Sequence, residues 1–214
     1  MSGCERPQSF MPPEPAEEGE GGARKMIEAG VLENPYVDAA IGLHVIQEMP
    51  LGTINVFPGP MMAGGDVFDV TIQGKGGRAA MPHDTVDALV VAVECVNALQ
   101  TLVSREVAPI MPAVLTVATL HAGGTAANII ADTATFTGTT RYFDLEIGDV
   151  LAARLPALVQ SIAEGMRATA TVEMRRVVPP IVNEPRMAEL VRTIATDVVG
   201  ADKVLTCIIH KGIA

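Results

Sequence analysis

Two stretches in which apolar and polar residues strictly alternate place the tightest limits on how this chain can fold. Residues 66–74 (DVFDVTIQG) place Phe68, Val70 and Ile72 on one face. Residues 132–143 (DTATFTGTTRYF) repeat the pattern. Alternation with a period of two predicts β-strands with one buried face. Each stretch is followed by a longer segment with helical periodicity, so strands and helices must pack as layers around a shared core.

The segments between and after these strands complete a recognisable order. An apolar stripe from about residue 84 to 105, with Asp84 or Thr85 as the expected cap, predicts the first helix. Residues 113–121 form a strand pattern, 145–168 a second helix that contains Pro156, and 169–178 a last strand. The order strand, helix, strand, strand, helix, strand predicts a ferredoxin-like βαββαβ domain. A further helix is expected at about 185–199.

Composition narrows the class of protein. The chain has 214 residues with 49% hydrophobic but only 3% aromatic residues, so its core must be built from aliphatic side chains and Met. A net charge of −10 argues against nucleic acids and anionic membranes as partners. Three cysteines outside any CxxC pattern indicate thiols in a reducing compartment. We therefore expect an acidic cytoplasmic protein that binds neither nucleic acid nor membrane.

Two adjacent carboxylates near the N-terminus are candidate catalytic or metal-binding groups. Glu17 and Glu18 lie in a glycine-flanked stretch just before a helical pattern that starts at Gly21 and ends at Gly30. The apolar run 38–45 (DAAIGLHV) predicts a short buried strand that carries His44 near its end. One carboxylate as general base, with the other and the imidazole as metal ligands, would suit metal-assisted hydrolysis.

Several longer segments resemble the metal-dependent amidohydrolase family. This family contains hippurate hydrolases, N-acyl-amino-acid amidohydrolases and plant auxin-conjugate hydrolases. The segments that carry the resemblance are PAEEGEGGARKMIEAGVL, DAAIGLHV, LGTINVFPGPMMAGGDVFDVTIQGKGG, AMPH, ALQTLVSR, NIIAD and TFTGTTR. The resemblance implies a ferredoxin-like dimerisation domain inserted in an α/β metallohydrolase catalytic domain.

The same resemblance implies the domain division and the metal. Residues 64–178 would form the dimerisation domain, here called the lid domain. Residues 15–63 and 179–214 would form part of the catalytic domain, after an irregular, proline-rich stretch at 1–14. The cofactor would be a divalent metal, zinc or manganese, with nickel and cobalt as alternatives. The substrate would be an N-acyl amino acid, and two chains would pair through their lid domains.

The roles of individual residues also follow from the resemblance. Glu17 matches the general base that takes a proton from a metal-bound water. Glu18 and His44 match metal ligands. Asn128, in NIIAD, and Arg141, in GTTR, match lid-domain residues that hold the substrate carboxylate and the developing oxyanion on the partner's active site.

The sequence also departs from the family pattern. Family members carry further metal ligands upstream of PAEEG and near their C-terminus, and this chain offers two ligands where a catalytic zinc takes three. Arg78 stands where the family has a histidine that donates to the oxyanion. These departures predict an incomplete catalytic domain and a truncated, impaired hydrolase.

Three interpretations of the chain remain open at this stage. It is a fragmentary hydrolase, a non-catalytic dimerisation module, or an enzyme completed by another polypeptide. An unrelated α+β binding protein is the remaining alternative. Metal retention and self-association distinguish these interpretations.

Overall fold

The computed structural model describes residues 21–33 and 36–207. These residues fall into two compact units that divide after Ile46. In the first unit, helix α1 (Gly22–Glu28) is followed by Gly30 at φ 84°. The left-handed region favours glycine because no Cβ clashes there, so Gly30 ends the helix as the sequence predicts.

The buried strand predicted for 38–45 is wrong. This segment contains no strand, and the side chains of Leu43 and Val45 are 90% and 91% exposed. A strand needs a hydrogen-bonding neighbour, and the described part of this unit supplies only the isolated bridge between Glu33 and Tyr36. His44 therefore lies on exposed, irregular backbone.

The second unit holds most of the regular structure. Its strands are β1 (Ile54–Asn55), β2 (Gly59–Met62), β3 (Gly64–Gln73), β4 (Gly77–Arg78), β5 (Ala113–Ala122), β6 (Ile129–Ile130), β7 (Thr133–Tyr142), β8 (Thr169–Val178), β9 (Ile181–Asn183) and β10 (Val204–Leu205). Its α-helices are α2 (Ala88–Thr101), α3 (Leu145–Gly165) and α4 (Pro185–Val199). Short 3-10 turns lie at Pro82–Asp84 and Ala201–Lys203, and a π turn at Leu102–Glu106 extends α2.

Four long strands form one antiparallel sheet in the order β5–β7–β3–β8. Along the chain the order is β3, α2, β5, β7, α3, β8, which is the ferredoxin-like βαββαβ arrangement. The prediction for residues 66–178 is therefore confirmed, and the mixed α/β class of the chain with it. The predicted helix at 185–199 is also present, as α4.

The core lies between this sheet and helices α2 and α3. The inward faces of the strands and the helices' apolar stripes meet there, and the fully buried side chains include Phe68, Ile72, Leu99, Phe136 and Leu155. Phe68 and Phe136 pack edge to face with ring centroids 6.5 Å apart. The low aromatic content leaves aliphatic side chains to fill the remaining volume.

Helix α2 begins later than predicted. Asp84 belongs to the Pro82–Asp84 turn, and the Thr85 hydroxyl donates to the carbonyl of Pro82. The cap is instead Asp87, whose carboxylate accepts from the backbone N–H groups of Leu89 and Val90. Proline at 82 starts its own short turn, so the α-helix begins only after the chain has passed back through an extended residue at 85.

Helix α2 also matches a membrane span in length and composition. Over the described ranges this holds for the one stretch Ala88–Glu106. A core helix of a globular domain passes the same test. Here Val91, Cys95 and Leu99 are buried in the core beneath the sheet.

Two short strand pairs of the second unit join residues that precede the four-stranded sheet in the chain to residues that follow it. Strand β2 pairs antiparallel with β9, and β1 pairs parallel with β10. Helix α4 is capped by Glu184, whose carboxylate accepts from two backbone N–H groups. These hydrogen bonds hold the pKa of Glu184 below its ordinary value.

Gly138 tests how tightly the lid core is packed. A Cβ built at Gly138 would collide with the carbonyl oxygen of Thr116 and the ring of Phe68. We expect Gly138→Ala to lower the free energy of unfolding by about 1–3 kcal/mol, as overpacking does. The control is Gly165→Ala at the end of α3, where a Cβ meets nothing within 4 Å. Urea unfolding measures both variants, and equal stabilities would contradict this packing.

Candidate functional site

The predicted site residues fall in different parts of the chain. Glu17 and Glu18 lie outside the described residues. His44 lies in the first unit and is exposed. Asn128 and Arg141 lie in the second unit.

His44 makes one side-chain hydrogen bond, to the backbone of the next residue. Its Nδ1 lies 2.8 Å from the carbonyl oxygen of Val45. A carbonyl can only accept, so Nδ1 is the donor of this hydrogen bond, and Nε2 is the ring nitrogen that the bond does not use. Metal-ligating histidines commonly donate their second nitrogen to a carbonyl in this way. In residues 21–33 and 36–207, no group of three or more His, Cys, Asp or Glu side chains is placed to hold a metal.

Asn128 lies at a small glycine-rich corner of the lid domain. It ends a turn directly before β6, and its carbonyl accepts from the N–H of Ala79 at 3.0 Å. The adjacent pair in the β4–β6 ladder joins Arg78 to Ile129. The side chains of Asn128 and Arg78 are both exposed. The fold thus brings Asn128 close to the position where the arginine departs from the family pattern.

An open groove of about 600 Å³ lies beside this corner. Its lining residues are Gly76, Gly77, Gly123, Gly124, Ile129, Ile130, Ala131, Asp132 and Thr133. The glycines leave backbone groups uncovered by side chains, which permits close approach of a ligand or another chain. Asn128 directly precedes the wall formed by residues 129–133.

Arg141 lies at the far end of β7 from this groove. It faces away from the core, opposite Gly65 on β3, and its Nη1 donates to the carbonyl of Thr140 at 2.9 Å. Eight residue steps along β7 separate Thr133 from Arg141, which corresponds to ~27 Å. One chain therefore does not bring Asn128 and Arg141 together.

A buried polar cluster, which the sequence analysis missed, lies on the other face of the same strand ends. Asp66 is 1% exposed, and its Oδ1 accepts from the hydroxyl of Tyr142 at 2.9 Å and from Nε of Arg176 at 3.1 Å. Arg176 also donates to Asp149 at 2.9 Å, and its guanidinium lies 5.7 Å from the Tyr142 ring centroid. The alternation offered a signal, because Asp66 falls on the same face as Phe68.

The cluster changes the titration of its members. Burial, with the hydrogen bond to Asp66, raises the pKa of Tyr142 to about 12. Hydrogen bonds to Asp149 and then Asp66 raise the pKa of Arg176 above its ordinary value. Asp66 Oδ2 and the Thr140 hydroxyl have no hydrogen-bond partner in the part of the chain that is described, and the two residues are paired across β3 and β7.

The fold and these features define a mixed α/β chain with a ferredoxin-like domain, an exposed histidine and a buried Asp–Tyr–Arg cluster. The chain belongs to the peptidase family M20/M25/M40, whose family model matches residues 13–212. The resemblance seen in the sequence is thereby confirmed.

Curated relatives and solved structures agree with this family. The chain is 40% identical over 193 residues to "IAA-amino acid hydrolase ILR1-like 4" of Arabidopsis thaliana, which covers 88% of this chain and 43% of the relative. It is 40% identical over 182 residues to "N-acetyl-L-cysteine deacetylase" of Bacillus subtilis, with 85% and 43% covered. The YXEP protein of Bacillus subtilis, described as a dinuclear metal binding peptidase, superposes with a TM-score of 0.70 at 29% identity, over 91% of this chain and 47% of that one. The chain thus spans less than half the length of these relatives.

Replacement of Tyr142 tests the buried cluster. Tyr142→Phe removes one of the donors to the buried carboxylate of Asp66. We expect a loss of about 1–3 kcal/mol in the free energy of unfolding, because a buried charged acceptor is left short of a partner. The matched control is Tyr36→Phe, since Tyr36 is 78% exposed. Urea unfolding that finds the two variants equally stable would contradict the role of this hydroxyl.

The raised pKa of Tyr142 also predicts alkaline instability. Between the ordinary tyrosine pKa of about 10 and the folded value, the unfolded chain loses this proton and the folded chain keeps it. Stability should therefore fall as pH rises from about 10 toward 12. Urea midpoints at pH 9 and pH 11 should differ more for the wild type than for Tyr142→Phe. Parallel shifts in the two proteins would contradict the prediction.

Proposed function

We propose that this chain takes part in metal-dependent hydrolysis of the amide bond of N-acyl amino acids. The observation that carries the proposal is the 40% identity over more than four fifths of the chain to an IAA-amino acid hydrolase and an N-acetyl-L-cysteine deacetylase. Both names describe cleavage of an acyl group from an amino acid. The M20 family also includes dinuclear metal binding peptidases, which supports a divalent metal.

The metal-facing residues have separate tasks. A bound divalent metal would acidify a coordinated water and polarise the substrate carbonyl. Glu18 and His44 would hold it, and the Nδ1 hydrogen bond to the Val45 carbonyl fixes the His44 ring with Nε2 available. Glu17 would accept the proton of the attacking water. Zinc and manganese are the metals proposed, with nickel and cobalt as alternatives.

The lid-domain residues would recognise the substrate. A guanidinium pairs well with a carboxylate because its planar fork presents parallel donors. Arg141 would therefore hold the carboxylate of the N-acyl amino acid, and the amide of Asn128 would donate to the developing oxyanion. A cytoplasmic location fits small acyl amino acids as substrates, and it too is a proposal.

Metal retention and hydrolysis test this function together. After dialysis of the purified chain against zinc or manganese, we expect on the order of one ion per chain. Hippurate and N-acetyl amino acids should be hydrolysed, and a chelator should abolish hydrolysis. Glu18→Ala and His44→Ala should lose the ion. Glu17→Gln should keep the ion but lose about 10²–10⁴ in rate, as removal of a general base does.

Glu28→Ala is the control for these variants, because Glu28 is exposed on α1 and outside the proposed site. It should retain both metal and activity. A wild-type chain that holds no ion and hydrolyses none of these amides would contradict the proposal.

We also propose that two chains pair through β5. Within the described residues β5 pairs only with β7, and β8 only with β3, so the sheet has two open edges. Strand β8 carries charged side chains at Glu173, Arg175 and Arg176, whereas β5 carries no Asp, Glu, Lys or Arg and one histidine, His121. Charges on an edge strand discourage pairing with another chain. Helix α2, which packs against β5, adds exposed apolar side chains at Leu89, Val90 and Val93.

A charge introduced on each open edge of the sheet distinguishes pairing through β5 from pairing through β8. We expect the wild-type chain to sediment as a dimer, and Leu120→Lys on β5 to weaken the dimer by about tenfold or more. Val178→Lys on β8 is the control at the other edge, with a similar exposure of 46% against 38% for Leu120. Because Leu120 is paired with the inward Phe136, urea unfolding must show that both variants are folded. Sedimentation velocity over a range of concentrations measures both. Equal effects on the two edges, or a monomeric wild type, would contradict this pairing.

A non-catalytic dimerisation module is the second candidate function. It is favoured by the lid domain, which forms its own sheet and core from residues 64–178. Dimerisation without metal retention or hydrolysis would support it over the first.

A further inference from the structure

We propose that Gly65 positions Arg141 for carboxylate binding by providing a bare stretch of strand on which the guanidinium lies. The inference rests on the proposed function, because it concerns how the substrate carboxylate would be held. Gly65 acts through Arg141 and is therefore a positioning residue.

The contact between the two residues is direct. Gly65 and Arg141 are paired across β3 and β7. A Cβ built at Gly65 would lie 2.5 Å from Nη1, 2.9 Å from Cζ and 3.0 Å from Cδ of Arg141. All three distances are shorter than van der Waals contact allows. The arginine side chain therefore occupies the space that any other residue at position 65 would fill.

The guanidinium is held at one end only. Its Nη1 donates to the carbonyl of Thr140 at 2.9 Å. Within the described residues, Nε and Nη2 make no hydrogen bond. One edge of the planar fork therefore remains available for a carboxylate, with its orientation already fixed. Such preorganisation raises affinity, since less side-chain freedom is lost on binding.

The ends of β3 and β7 that carry Gly65 and Arg141 are held by hydrogen bonds on the inward face of the sheet. Asp66, which follows Gly65, accepts hydrogen bonds from Tyr142, which follows Arg141. Arg176 adds a second donor from β8. Alternation along the strands places these side chains inward and Arg141 outward. The buried cluster thus fixes the register of the two backbones that carry the glycine and the arginine.

Replacement of Gly65 by alanine should move Arg141 with little loss of stability, because the atoms that must give way are the flexible end of one side chain. With hippurate as substrate, we expect Gly65→Ala to raise KM about tenfold and to leave kcat within about twofold, as loss of uniform binding does. Gly165→Ala, whose added Cβ meets nothing within 4 Å, should change neither.

A double-mutant cycle distinguishes positioning from general damage. In an Arg141→Lys background, Gly65→Ala should have no further effect on KM, because there is no guanidinium left to displace. The same tenfold increase in both backgrounds would overturn the proposal.

A spectroscopic readout keeps this test separate from the proposed function. The Nε–H cross-peak of Arg141 in ¹H–¹⁵N spectra is assigned by its loss in Arg141→Lys. It should shift or broaden in Gly65→Ala without any ligand, and urea unfolding should show both proteins folded. If the wild type neither binds nor hydrolyses hippurate while the peak responds, the proposed function fails and the positioning stands. An unchanged peak overturns the positioning.

Discussion

The second unit depends on β3 being hydrogen-bonded along both edges. Strand β7 pairs with all ten residues from Gly64 to Gln73, and β8 pairs with the segment from Gly65 to Gln73. A central strand with this many fixed neighbours sets the register of the whole sheet, because a slip of one residue would turn every inward side chain outward. The inward set includes a buried carboxylate, Asp66, so a slip would also separate that charge from both of its donors. Register and charge pairing therefore reinforce each other.

The sequence predicted the βαββαβ order of residues 66–178 because the signals for its strands and helices are local. Alternation and helical stripes each depend on a few neighbouring residues, and Pro185 and Glu184 similarly mark the start of α4. Predictions failed where the structure of a segment depends on residues that its own local sequence pattern does not include. The segment 38–45 has the apolar content of a strand, but it has no neighbouring strand to complete it within the described residues. The cap of α2 moved to Asp87 because the short turn at Pro82–Asp84 uses the residues that looked like a cap.

The buried cluster shows the same limit. Asp66, Tyr142 and Arg176 are separated by up to 110 positions, so only the register of three strands brings them together. The alternation places an acid on the inward face but does not say what neutralises it. Arg141 was predicted as a residue type, and its place opposite Gly65 depends on the same long-range register. Gly65 could not be singled out from the sequence, because its contact with Arg141 arises only when β3 and β7 pair.

The separation of Asn128 from Arg141 bears on how the two could act on one substrate. A long strand lies between them within one chain. In the proposed pairing through β5, a two-fold axis perpendicular to the sheet would reverse the strand direction of the second chain. The Asn128 end of one lid domain would then lie on the same side as the Arg141 end of its partner. The two copies of β7 would be three strand spacings apart, ~14 Å, instead of the full strand length. An arginine side chain and a small acyl amino acid can span much of that distance. Dimerisation would therefore be a condition for substrate recognition by both residues. Each chain would supply one of them to a site, whereas the family resemblance implies that the partner supplies both.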